Sequence, residues 1–231
     1  MDPRERLSKG RAAADVGDYE SALREYVWFH NHALEHERSL YGVRLSFALA
    51  YWKELASVFP PAQMALENIR DEKVAALSGG AVDRALFHDV ASINEYLGAE
   101  RSTYELFRRL DQEAPAFAQR CAALALEAVV AANDFGLAAR YSPDPENELL
   151  RFSATLNEDV AEHNAGPPVK APRLDAYTYI YCNRVRTIIQ ILTGLGRRDD
   201  AECAREWAVA LVDDTEIRSR VGGSLYSNND A

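Results

Sequence analysis

His32, Glu35 and His36 stand in the order His-x-x-Glu-His. On a helix, two histidines four residues apart share a face, so both imidazoles can reach one zinc ion while the glutamate acts as general base. A hydrolytic centre of this kind needs a further ligand, and the spacing selects neither Glu105 nor Glu113 for that role. Five residues are a short pattern, expected by chance in roughly one chain in a hundred. Histidines closing a helix are also favoured by the negative end of its dipole. The expectation is therefore a helix end with no metal, and a small zinc-dependent hydrolase using His32, Glu35 and His36 is the alternative.

The other group with chemical reach is arginine. All but four of the 26 basic residues are arginines, the lysines being Lys9, Lys53, Lys73 and Lys170. A guanidinium is a planar fork that matches a carboxylate, which an ammonium is not. These cations sit in a chain of formal net charge −10, a balance that argues against broad binding to nucleic acid or to anionic lipid. No apolar run reaches the length of a membrane span, and the first residues give no secretory signal. Cys121, Cys182 and Cys203 lie far apart with no CxxC spacing, as in a reducing compartment. A cytoplasmic protein is expected. There is no P-loop, no G-x-S-x-G and no G-x-G-x-x-G, so neither a cofactor nor an enzyme is expected.

Stepping from these residues to the elements that carry them, one local grammar recurs. Gly17 can take the positive φ that closes a helix, Ala22 is small enough for two helices to approach, and Tyr26 fills the space beyond. Gly98, Thr103 and Phe107 repeat the pattern. Asn133 takes the glycine's place before Ala138, an exchange the left-handed conformation permits, and Gly196 precedes Ala201 by the same interval. Gly10 is the small residue of a first helix. From Gly98 to Asn133 the interval is 35 residues, close to a period of about 34.

This grammar resembles that of the tetratricopeptide repeat, in degenerate form. The resemblance implies an all-α fold, an α-α superhelix built as a right-handed array of antiparallel helical hairpins. The array is expected over residues 1–163, a proline-rich linker over 164–173, a C-terminal helical hairpin on the same array over 174–216, and a polar tail over 217–231. One helix is expected across about 39–58. The run Tyr177 to Cys182 is read as helix rather than strand, because a longer apolar stripe continues to Leu195. The His-x-x-Glu-His order is similar to that of the inverzincin metallopeptidases, which use a much larger chain and a downstream acidic ligand.

In arrays of this kind the first helix of each hairpin lines a concave wall that binds extended peptides or partner helices. The register places Arg4, Arg11, Arg44, Phe47 and Tyr51 on that wall, then His88 and Arg120, then Arg186 and Gln190, with Leu7, Glu95 and Glu127 between them. The expected function is a non-enzymatic scaffold that binds a protein or peptide segment, acidic in character, in an arginine-decorated groove. A self-associating structural protein, a homo-oligomer, is the second alternative.

Overall fold

A computed structural model describes residues 2–166 and 173–227. Among the described residues all regular structure is helical and there is no strand. The chain divides into two units, Met1–Ala125 and Leu126–Ala231, and the boundary falls inside a helix. Most of the proline-rich stretch at 164–173 lies outside the described residues.

The first unit holds α1 (Pro3–Asp15), α2 (Tyr19–His36), α3 (Tyr41–Leu45), α4 (Phe47–Ala56), α5 (Pro60–Ser78), α6 (Arg84–Leu97), α7 (Glu100–Glu113) and most of α8 (Pro115–Ala131). The second holds the end of α8, then α9 (Phe135–Tyr141), α10 (Pro145–Ala165), α11 (Arg173–Gly194), α12 (Arg198–Ala210) and α13 (Thr215–Tyr226). In the first unit α1 packs on α2, α2 on α4, α4 on α5, α5 on α6 and α6 on α7. In the second, α11 is central and touches α9, α10, α12 and α13.

The turn residues act as their types require. Gly17, Gly98 and Gly196 take φ of +82°, +68° and +78°, and Asn133 takes +59°. After each, the next amide reaches back five residues: Asp18 to Ala13, Ala99 to Asn94, Asp134 to Val129 and Arg197 to Leu192. These are Schellman closures, which satisfy carbonyls that the helix end leaves open. Asp18 and Asp134 then cap the following helices through their carboxylates. Ala22, Thr103, Ala138 and Ala201 are all buried, as are Tyr26 and Phe107. A Cβ on Gly10 would lie 2.7 Å from the Tyr26 ring, so only glycine lets α1 close onto α2 here.

Two expected elements differ. In place of one helix across 39–58 there is a 3-10 turn at Arg38–Leu40, then α3 and α4, separated at Ser46 with φ −124° and ψ −91°. The Ser46 hydroxyl donates to the Gly42 carbonyl at 2.7 Å, occupying an acceptor at the break. The tail expected from 217 is helical as far as Tyr226. Its Ile217, Val221 and Leu225 recur every fourth residue and are buried in the core of the second unit. That burial outweighs the helix-breaking tendency of Gly222 and Gly223, about 1 kcal/mol each.

Candidate functional site

Trp28 lies on the same helix face as the two histidines of the His-x-x-Glu-His run, and both pack on its ring, with centroids 5.6 Å away in each case. The Arg6 guanidinium stacks 4.1 Å from the same ring. His32 Nδ1 is 3.1 Å from a Glu35 carboxylate oxygen, which makes the glutamate a partner of the histidine. Among the described residues no group of three or more His, Cys, Asp or Glu side chains could hold a metal ion. Glu105 instead pairs with Arg101 at 3.1 Å.

The residues expected on a wall in the first unit separate by environment. Arg4 is exposed and grips Glu37 through Nη2 and Nε, at 2.6 and 3.2 Å. Hydrogen bonds from Arg4 and Ser39 pull the Glu37 carboxyl down to about 2. Arg11 stacks 4.3 Å above the ring of half-buried Tyr51, and Phe47, one turn before Tyr51, is exposed. The Tyr41 hydroxyl and His88 Nδ1 are hydrogen-bonded at 2.9 Å. Burial lowers the pKa of His88, and the nearby Arg84 adds to the effect. Arg120 is exposed, 3.4 Å from the Val82 carbonyl and over the Phe117 ring.

Arg44 is not on a wall. It is 4% exposed, and its two terminal nitrogens bind both oxygens of Asp89, itself 4% exposed. Lys73 reaches the same carboxylate at 2.8 Å. Arg44 Nη1 also lies 3.2 Å from Nε2 of buried His30. Burial, reinforced by the Arg44 charge, pushes His30 down to about 3, so its Nε2 is free to accept. Burial alone would raise the Asp89 carboxyl, but hydrogen bonds and charge from Arg44 and Lys73 outweigh it and hold the group below its usual range. Arg44 lies on α3, which ends at Leu45, so it does not continue the face of Phe47 and Tyr51 on α4. Asp89, 45 residues away, carries no local signal of the pairing.

In the second unit three of the expected residues lie together. Glu127, Arg186 and Gln190 line one cleft of about 990 Å³, with Arg205, Asn183 and Asn133 among its other walls. Helix α11 supplies Asn183, Arg186 and Gln190 at intervals of three and four, so they share a face. Arg186 donates to the Asn183 side-chain oxygen at 2.9 Å and to the Ser224 carbonyl at 3.0 Å. Among the described residues no carboxylate pairs with it. Arg205, by contrast, pairs with Glu202 one turn earlier. Phe135 closes one side and packs so tightly on α11 that a Cβ at Gly194 would lie 2.2 Å from its ring. The sequence register did not single out Arg205. Its spacing on α12 would have found it once α12 was known to face this cleft.

These features define an all-α protein of packed helical hairpins with a cleft of mixed polar and apolar lining, bearing Arg186 and Arg205, in its second unit. Compared with protein-family models, curated proteins and solved structures, the chain matches none. No helix among the described residues is long and apolar enough to cross a membrane.

Proposed function

We propose that the chain is a non-enzymatic interaction module of tetratricopeptide-like character that holds an acidic segment of a partner protein. The observation that carries the reading is Arg186, a half-buried guanidinium lining a cleft of about 990 Å³ and bonded to neutral acceptors only. An arginine held by an amide oxygen and a carbonyl keeps its full charge unmatched, and a carboxylate makes a stronger, charge-assisted bond. Gln190 and Asn183 supply neutral hydrogen-bonding groups beside it. The volume is at the upper end of small-molecule sites and suits several residues of a chain.

The test is anisotropy with a fluorescein-labelled decapeptide of alternating Glu and Ala, compared with its Lys-Ala counterpart. The acidic probe is expected to bind and the basic one not. Arg186→Glu should abolish binding, whereas Arg4→Glu, in the first unit, should leave it unchanged. Equal binding of both peptides, or an Arg186→Glu variant that binds as well as wild type, would overturn the reading.

A further inference from the structure

A second hollow lies in the same unit and shares no lining residue with the cleft, so it stands apart from the reading above. It forms where α10, α11 and α12 meet and has a volume of about 490 Å³, within the ordinary range of small-molecule sites. Its floor is apolar. Leu149 of α10, Leu192 of α11 and Ala204 of α12 are all buried there, and the short side chain of Ala204 leaves space that a longer one would fill. Helix α12 brings Asp200, Cys203, Ala204 and Trp207 to the hollow at intervals of three and four, so they share one face.

The three tryptophans of the chain have different surroundings. Trp52 is buried and donates its indole N–H to the Ala62 carbonyl. Trp28 already carries the Arg6 guanidinium on its ring. Trp207 is half-buried and lines the hollow, and among the described residues no cation of the chain stacks on it. A tryptophan face is the strongest of the aromatic sites for a cation, because its ring carries negative charge density above and below the plane.

The charges at the mouth complement that face. Asp144, Glu146 and Asp200 stand there against Arg197. Arg197 Nε donates to Asp200 at 2.6 Å, which matches those two charges to each other. Asp144 caps α10, one of its oxygens accepting from the Asn147 amide, and Pro145 then starts the helix with Glu146 in its first turn. The helix dipole favours an acid at that place. Even so, Glu146 is exposed, and among the described residues neither it nor Asp144 pairs with a cation. The unmatched charge is therefore negative, in a chain of formal net charge −10 whose field favours the approach of a cation.

We infer that this hollow takes a small organic cation, an amine or quaternary ammonium on an apolar body. The carboxylates of Glu146 and Asp144 and the ring of Trp207 hold the positive group, and the body rests on Leu149, Leu192 and Ala204. A neutral molecule of the same shape gains only the floor, and an anion is repelled at the mouth.

Cys203 supplies the readout, since it is exposed and lines the hollow whereas Cys121 and Cys182 are buried. Methyl methanethiosulfonate should therefore modify Cys203 first in the folded protein, at a rate followed by intact mass, and an occupant should slow it. The probes are 2-phenylethylamine, its neutral counterpart 2-phenylethanol and its acidic counterpart phenylacetate. The amine is expected to protect Cys203 saturably, at a half-protecting concentration about fivefold or more below that of the alcohol, and phenylacetate is expected not to protect. Glu146→Gln should raise the amine's half-protecting concentration about three- to tenfold with an unchanged melting temperature, and Trp207→Leu should bring amine and alcohol together. No protection by the amine, equal protection by amine and alcohol, or stronger protection by phenylacetate would each overturn the inference. So would an amine preference that survives both substitutions, because the cation would then be held elsewhere.

Discussion

The two units handle charge in opposite ways. In the first, charged side chains are taken into the interior. Glu25, Arg44 and Asp89 are all buried, and among the described residues no charged side chain of the second unit is. The second unit has an apolar core around α11, and Arg186 and Arg205 line a cleft. Arg44 and Arg186 illustrate the contrast. Arg44 holds a carboxylate in a fixed bidentate pair, so its charge is already used in folding. Arg186 is held by neutral groups, so no carboxylate among the described residues matches its charge. Residue type is the same, and the difference lies in whether a long-range partner meets the side chain.

The largest expected effect comes from breaking the buried pair. Asp89→Ala leaves Arg44 and Lys73 without their shared counterion, and should cost about 3–5 kcal/mol in urea unfolding. Arg186→Ala should cost less, about 1.5–3 kcal/mol, the range for hydrogen bonds made by a charged donor. Similar losses for the two variants would remove the contrast.

Glycine contacts give the next largest effect, and they are shared by both units. Gly10→Ala presses on Tyr26 and Gly194→Ala on Phe135, and each should cost about 1–3 kcal/mol as the ring is displaced. Gly194→Ala should also alter the cleft, since Phe135 lines it. A melt of Gly194→Ala that matched wild type would mean the ring has room to move.

A pH series sharpens the contrast with a smaller signal. His30 binds a proton near 6.5 when unfolded but near 3 when folded, so the unfolded state takes up the proton first as pH falls. Its contribution is complete above the ordinary value and is lost on acidification, at about 1.4 kcal/mol per pH unit between roughly pH 6 and 4. The lowered His88 acts with the same sign. Asp89 adds a further loss only at lower pH, because its folded value lies below the usual carboxylate range. Urea midpoints at pH 7, 6, 5 and 4 should fall accordingly, and His30→Gln should flatten the slope. A wild-type midpoint independent of pH would contradict a buried neutral His30.

Much of the fold was legible because its determinants are local. Gly17, Gly98, Asn133 and Gly196 mark turns by conformational preference alone, and the small residue five positions later follows from the geometry of two close helices. The helix over 173–194 was legible for the same reason, since its periodicity runs through a segment whose β-branched and aromatic residues also suit a strand. The break at Ser46 was not legible. Nothing in Ser-Phe-Ala-Leu disfavours helix, and the interruption coincides with an arginine drawn to a carboxylate on another helix. Helix α13 was missed in the opposite direction, because two glycines suggest a tail until a hydrophobic surface is there to receive Ile217, Val221 and Leu225.

The sequence by itself determined the helices, their turns and the close approach at each hairpin, because each depends on residues within a few positions of one another. It also grouped Arg186, Gln190 and Glu127, but in one set with Arg4, Arg11, Arg44 and the other residues expected on the wall. Only the tertiary structure decided which arginine is paired with a buried carboxylate and which is held by neutral groups. That choice depends on whether a carboxylate tens of residues away arrives within hydrogen-bonding distance, and no local pattern encodes such a meeting.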